Sequence, residues 1–128
     1  MLPEKLKRTR VLIADDDTQM LALIDRLLQP EFDVVDMVSD GHALVEAALK
    51  FHPDVIVTDI SMPKMNGIEA VRQIRGSLPT TKCIFLTMHA GHGYRREAQA
   101  AGGAAYLLKS VARRELNQAI HRVTQRSE

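Results

Sequence analysis

Long apolar runs and cysteine are both scarce in this sequence of 128 residues. No apolar stretch approaches the roughly 20 residues that a membrane-spanning helix needs, and the N-terminus lacks the apolar segment of a signal peptide. The single cysteine, Cys83, excludes an internal disulfide and a cysteine-rich zinc site. We therefore expect a cytoplasmic protein in which Cys83 is a small buried side chain.

A strong excess of charge of either sign is also absent. The 17 basic residues nearly balance the 16 acidic ones, and the net charge is +1. A domain that binds nucleic acid through its own surface commonly has a marked basic excess, so we expect no nucleic acid contact by this domain. The length suits one domain, which we assign to residues 10–126 after an N-terminal tail at residues 1–9.

Five short apolar runs alternate with segments of helical periodicity. The runs lie at residues 11–14, 34–38, 55–57, 83–86 and 105–108. Strict alternation of strand and helix predicts an α/β fold with a parallel sheet and right-handed crossovers. Asp36 interrupts the second run, which favours a place near the sheet edge, because central parallel strands are buried on both faces.

The ends of the predicted helices carry recognisable signals. Asp17 or Thr18 is a candidate N-cap of the first helix, and Asn66 is a candidate N-cap of the third. The second helix is predicted over Ala43–Phe51. Glycines at the start of the fourth helix each cost roughly 1 kcal/mol, so we predict firm helix only over residues 94–101 and expect this segment to be the least stable.

Polar side chains follow four of the predicted strands. They are Asp15–Asp17, Asp59, Thr87 and Lys109. Ligand sites of open parallel sheets lie just beyond the carboxyl ends of the strands, so we expect these side chains to converge on one rim. Asp17 is explained as a helix cap, but clustered carboxylates repel one another, and their joint placement indicates a function.

The chemistry of this rim points to a metal and to phosphorus. Oxygen-only ligands favour Mg²⁺, and a carboxylate can act as a nucleophile that forms an aspartyl phosphate. The transferred group then requires a metal, a cation and hydrogen-bond donors. Mg²⁺, the Lys109 ammonium and the Thr87 hydroxyl would supply one of each.

Four segments at this spacing resemble the receiver domains of bacterial two-component response regulators. They are Val11–Asp16, Pro53–Gly67, Phe85–Thr87 and Tyr106–Lys109. The resemblance covers about residues 10–122 and implies a flavodoxin-like (βα)5 three-layer sandwich with strand order 2-1-3-4-5. Ser110 stands where many receivers have a proline after the lysine, and this feature is closer to receivers of NarL/LuxR-type transcriptional regulators.

The resemblance also implies the roles of individual residues at the acidic rim. Asp59 would accept a phosphoryl group from a sensor histidine kinase or a phosphotransfer protein. Asp16 and Asp59 would bind Mg²⁺ directly, together with the backbone carbonyl of Ser61. Asp15 would position the ion through water, and Lys109 would pair with the phosphoryl group.

A conformational output is implied as well. Thr87 would bond the phosphoryl oxygen, and Tyr106 would turn inward when Thr87 moves. The face formed by the fourth helix, fifth strand and fifth helix would then rearrange, and the resemblance implies this face as the surface of a homodimer. The domain would catalyse its own phosphorylation and dephosphorylation, and the expected output is transcription through a DNA-binding domain outside this chain.

Three alternatives remain open from the residues. A haloacid-dehalogenase-like phosphatase needs Asp-x-Asp-x-Thr/Val after a strand, but Gln19 stands in the last position of that pattern. A flavodoxin-like flavin binder needs a hydroxyl-rich phosphate loop where this chain has acids. A pseudo-receiver would act only as an interaction module, although the acceptor and metal residues are present here.

Overall fold

The computed structural model describes the backbone of residues 8–88 and 92–125, and the side chains of the same residues except 92–94. Within this part of the chain, five strands alternate with five helices. In order they are β1 (Arg10–Ala14), α1 (Thr18–Leu28), β2 (Asp33–Val38), α2 (Gly41–Phe51), β3 (Val55–Asp59), α3 (Gly67–Ser77), β4 (Lys82–Thr87), α4 (His92–Ala100), β5 (Gly103–Leu108) and α5 (Ala112–Thr124).

The strands form one parallel sheet in the order β2-β1-β3-β4-β5. All five residues of β3 are buried, as expected for a central strand that is covered on both faces. β2 lies at an edge and has no fully buried residue. The predicted (βα)5 fold, its implied strand order and the edge position of the strand that contains Asp36 are therefore confirmed.

Alternate residues of each strand enter two hydrophobic cores, one on each face of the sheet. On one face, strand residues such as Leu12 and Phe85 pack with buried residues of α2, α3 and α4. On the other face, Ile13 and Leu86 pack with buried residues of α1 and α5. Cys83 is fully buried in the first core, as predicted, and burial raises the pKa of its thiol to about 12.

Side-chain caps fix the starts of three helices. Asp17 accepts hydrogen bonds from the first-turn amides of α1, and Asn66 accepts one from the amide of Glu69 in α3. The cap Asn66 was predicted, and Asp17 was one of the two residues predicted as candidates for the cap of α1. The start of α2 was placed two residues too late, because Asp40 caps this helix through the amide of Ala43 and Gly41 is its first residue.

The fourth helix is two residues longer at its start than its sequence indicates. It begins at His92 rather than at residue 94 and ends at Ala100. Gly102 follows with φ +110°, a conformation that glycine adopts without steric cost. Among the side chains described for this helix, only that of Ala98 is buried.

Contacts of the N-terminal segment were not foreseen from the sequence. The guanidinium of Arg8 donates to the backbone carbonyls of Gln29, Glu31 and Phe32 in the turn between α1 and β2. The carbonyl of Thr9 accepts a hydrogen bond from the amide of Asp33 at 2.9 Å.

No helix in the described part of the chain is long and apolar enough to span a membrane.

Candidate functional site

The acidic and basic residues predicted from the sequence lie together at the carboxyl edge of the sheet. Asp15 directly follows β1 and is fully buried, and Asp59, the last residue of β3, is 6% exposed. Asp16 is exposed at the mouth of the site. One carboxylate oxygen from each of these three residues lies within 4.8 Å of the others.

Lys109 reaches this cluster from the end of β5. Its Nζ lies 2.8 Å from Asp15 Oδ2 and 3.3 Å from Asp59 Oδ2. Desolvation acts to lower the pKa of Lys109, but the hydrogen bond to Asp15 and the negative charges of Asp59 and Asp15 outweigh it, so the pKa is raised. The lysine is therefore a fixed cation shared between two buried carboxylates.

Asp59 has an unusual ionisation equilibrium for an aspartate. Burial raises its pKa to about 6, and the neighbouring charge of Asp15 acts in the same direction. Lys109 and the amide of Ile60 oppose this shift without cancelling it. At neutral pH the carboxylate is mostly ionised, so the site holds a negative charge on a largely buried side chain.

Local hydrogen bonds fix the orientation of the two buried carboxylates. Asp59 Oδ1 accepts from the amide of Ile60 at 2.8 Å. Asp15 Oδ1 accepts from the amide of Asp17 at 2.9 Å, and Asp17 in turn caps α1. The three consecutive aspartates after β1 therefore have different positions. Asp17 caps α1, whereas Asp15 and Asp16 lie in the acidic cluster.

The remaining predicted residues lie in the loop after β3, at the end of β4 and within β5. Ser61 is exposed, two residues beyond Asp59. Thr87 ends β4 and is 5% exposed. Tyr106 is half-buried in β5, where it pairs with Phe85 of β4, two residues before Thr87.

Two features around Tyr106 escape sequence reasoning. The guanidinium of Arg95 in α4 lies over the tyrosine ring, with Cζ 5.6 Å from its centroid. The Tyr106 hydroxyl is buried and has no hydrogen-bond partner among the described residues. No pattern within α4 marks Arg95, because the contact depends on how that helix lies on β5.

The donor set fits Mg²⁺. Carboxylate oxygens are the hard ligands that this ion prefers, and Mg²⁺ typically keeps several waters and takes one or two carboxylates. Exposed Asp16 leaves one side of the cluster open to solvent, and buried Asp15 and Asp59 supply negative charge that a single lysine does not neutralise. Among the described residues, no histidine or cysteine joins this group.

Fold and site together define a class: an α/β domain with an acidic pocket and a lysine at the carboxyl edge of its sheet. The family profile described as the response regulator receiver domain matches residues 11–121. The chain therefore belongs to the receiver domain family of two-component response regulators.

Curated relatives include proteins with different outputs. The chain is 36% identical over 120 residues to the transcriptional regulatory protein DegU of Brevibacillus brevis, covering 92% of this chain and 51% of DegU. It is 35% identical over 114 residues to a protein-glutamate methylesterase/protein-glutamine glutaminase of Geobacter metallireducens, covering 87% of this chain and 32% of that protein. The chain thus spans about half of one relative and a third of the other.

Solved structures agree with this assignment. The signal receiver domain of the putative response regulator NarL from Mycobacterium tuberculosis superposes with a TM-score of 0.87 at 28% identity, covering 94% of this chain and 99% of that one. The response regulator domain of Thermotoga maritima CheB gives a TM-score of 0.81 at 27% identity, covering 94% and 100%. The predicted likeness to NarL/LuxR-type receivers is confirmed.

Proposed function

We propose that this receiver is a phosphorylation switch in which Asp59 accepts a phosphoryl group from a sensor histidine kinase or a phosphotransfer protein. The observation that carries the proposal is the buried Asp59 carboxylate, which lies 3.3 Å from the Lys109 ammonium and within 4.8 Å of the carboxylates of Asp15 and Asp16. We take residues 10–126 as the receiver unit.

The reaction exchanges one bond to phosphorus for another. A carboxylate oxygen of Asp59 attacks the phosphorus of a phosphohistidine, an O–P bond forms, and the P–N bond breaks with its electron pair returning to the imidazole of the donor. Lys109 neutralises charge on the phosphoryl oxygens, and the Thr87 hydroxyl donates a hydrogen bond to one of them. Dephosphorylation is the attack of water on the same phosphorus: a new O–P bond forms, the bond from phosphorus to the Asp59 oxygen breaks, and the carboxylate is released together with inorganic phosphate and a proton.

Asp16, Asp59 and the backbone carbonyl of Ser61 would hold Mg²⁺, and Asp15 would act through a bound water. When bound, the ion offsets negative charge on the phosphoryl oxygens. The chain's own contribution is to hold the carboxylate oxygens together in one pocket. Lys109 alone does not neutralise the negative charge of that pocket. Phosphorylation without the ion would bring further negative charge into the same pocket.

The proposed conformational output runs through Thr87 and Tyr106. When Thr87 moves towards the phosphoryl group, it leaves space beside β4 into which the Tyr106 ring turns. Arg95 contacts that ring from α4, so a rotation of Tyr106 changes the packing of α4 on the sheet. The face formed by α4, β5 and α5 is thereby altered, and we propose it as the surface of a homodimer.

We propose that the protein acts in the cytoplasm and that its output is transcription. The DegU relative is named as a transcriptional regulatory protein, and another, LnrK of Bacillus subtilis, carries the same description. The receiver itself would not contact nucleic acid, and a DNA-binding domain elsewhere in the full reading frame would do so. A methylesterase domain in that frame would contradict the transcriptional output while leaving the switch intact.

Incubation with phosphoramidate and Mg²⁺ tests the switch, with intact mass spectrometry as the measurement. We expect one added phosphoryl group on the unsubstituted chain. No such group should be added to Asp59→Asn, or to the unsubstituted chain when the metal is chelated beforehand. Continued release of phosphate from simple phosphate esters would instead favour a phosphatase of the haloacid dehalogenase type. A folded chain that takes up no label would be an interaction module.

A further inference from the structure

The loop between β3 and α3 packs against the first turn of α2. This loop, residues 60–66, begins next to Asp59 and contains Ser61, and we call it the acceptor loop. At its far end the backbone of Met65 lies directly against Gly41, which is buried as the first residue of α2. Two elements that are distant in sequence thus meet closely at this point, with the backbone and Cβ of Met65 against Gly41.

Gly41 leaves no room for a side chain at this contact. A Cβ atom on Gly41 would lie 2.0 Å from the carbonyl oxygen of Met65 and 2.6 Å from both its carbonyl carbon and its Cβ. Two of the obstructing atoms belong to the main chain and the third is a Cβ, none of which moves when a side chain changes its rotamer, so a change of rotamer cannot relieve the overlap. Gly41 is not among the described residues with positive φ, and the requirement for glycine is therefore one of space.

The acceptor loop is also fixed where it begins, next to Asp59. The amide of Gly67 donates to the carbonyl of Ile60 at 2.7 Å and closes the loop on itself. A Cβ atom on Gly67 would lie 2.1 Å from the carbonyl oxygen of Asp59. Because the loop is short and closed, a displacement of Met65 away from α2 moves the backbone that carries Ser61.

We propose that Gly41 is a positioning residue for the acceptor loop: its lack of a side chain lets α2 hold that loop where the carbonyl of Ser61 can serve the metal. This inference rests on the proposed function, because it assumes that the site binds Mg²⁺. Mg²⁺ demands near-ideal octahedral geometry, so a shift of about 1 Å in one ligand weakens binding. Changes to groups that orient metal ligands typically cost about 10-fold to 100-fold in affinity.

The variant Gly41→Ala tests this role, and Gly76→Ala is its matched control. Gly76 also lies in a helix, but a Cβ atom there would meet nothing within 4 Å. Mg²⁺ affinity is measured by calorimetric titration, and labelling by phosphoramidate is followed across a series of Mg²⁺ concentrations. We expect Gly41→Ala to raise the dissociation constant of Mg²⁺ and the half-saturating concentration about tenfold. Gly76→Ala should match the unsubstituted chain.

The split between affinity and rate separates positioning from general damage. We expect the labelling rate of Gly41→Ala at saturating Mg²⁺ to stay within about twofold of the unsubstituted chain, because the nucleophile and Lys109 are untouched. A folded Gly41→Ala with unchanged Mg²⁺ affinity, or one with an unchanged half-saturating concentration and a lower maximal rate, would overturn the inference.

If Gly41→Ala does not fold, Met65→Gly decides the question from the loop side. It removes the Cβ atom beside Gly41 together with the partly buried side chain that packs against the first core, and it loosens the loop without adding an atom. We expect Mg²⁺ binding weakened by about threefold or more, and unchanged affinity would reject the inference. An unsubstituted chain that binds no Mg²⁺ would instead reject the proposed function, so the two failures are distinguishable.

Discussion

Asp59 is a buried carboxylate beside a second buried carboxylate, and this arrangement costs folding free energy at neutral pH. Burial raises its pKa from 3.8 to about 6, with the charge of Asp15 contributing. The folded state therefore binds a proton more tightly than the unfolded state. The contribution of Asp59 to stability should rise as the pH falls from about 6 towards 4, since protonation of this carboxyl then favours the folded chain.

Replacing Asp59 should accordingly stabilise the metal-free protein. Asp59→Asn removes the charge but keeps an oxygen that can accept from the amide of Ile60, and Lys109 retains Asp15 as its partner. We expect the free energy of unfolding at pH 7 to increase by about 1 to 3 kcal/mol, as a shift of about two pKa units implies. Urea unfolding with a chelator present measures it.

The pH dependence is the internal control for this substitution. The advantage of Asp59→Asn over the unsubstituted chain should shrink as the pH is lowered to about 4.5, because Asp59 is then largely protonated in the folded state. An advantage that is equal at pH 7 and pH 4.5 would show that the gain has a cause other than the charge of Asp59.

The contacts that could be predicted from the sequence differ from those that could not in how far apart along the chain the two partners lie. The caps Asp17 and Asn66 were readable because each bonds an amide within three residues. The contact of His121 with Glu31 was not, because 90 residues separate them. Hydrogen bonds from Asn117 and His121 to Glu31 hold the pKa of that carboxyl below its usual value, yet no local pattern announces them.

Gly41 shows the same limit at the start of a helix. Its place after the cap Asp40 was not recognised from the sequence, and its contact with Met65 exists only once α2 and the acceptor loop are packed together. The acidic rim, by contrast, was predictable, because parallel strands bring their carboxyl ends to one edge whatever the details of packing. The topology alone predicted which residues lie at the site. The contacts that hold those residues in place depend on packing and could not be predicted from the sequence.

The helix α4 is held to the sheet less firmly than its neighbours. Among its described side chains only Ala98 is buried, whereas α3 buries Ile68, Val71 and Ile74 together with two small residues. Gly93 lowers its intrinsic helix stability further, by about 1 kcal/mol. Such a helix is suited to a switch, because local opening concentrates where few apolar side chains are buried.

Amide hydrogen exchange should reveal this difference in the unphosphorylated protein. We expect the amides of residues 95–100 to exchange at least tenfold faster than those of residues 70–75 in the middle of α3, which serves as the control helix. Exchange followed by NMR gives both sets in one sample. Equal protection of the two helices would contradict the idea that α4 is the element that rearranges.

The two cores and the acidic rim oppose each other in the stability of the whole molecule. Apolar packing on both faces of the sheet brings the strands together, and the same topology places Asp15, Asp16 and Asp59 within 4.8 Å at its edge. An ion that binds this arrangement meets no equivalent in the unfolded chain, where the three carboxylates are apart. Binding must therefore stabilise the fold as a unit.

This coupling predicts how far Mg²⁺ shifts global unfolding. At a free concentration about 100 times its dissociation constant, the ion should raise the free energy of unfolding by about 2.7 kcal/mol, measured by urea titration at pH 7. Asp16→Asn should lose most of the gain, because it removes the exposed carboxylate of the cluster while both buried ones remain. An equal gain in Asp16→Asn would mean that Mg²⁺ stabilises the protein from somewhere other than this rim.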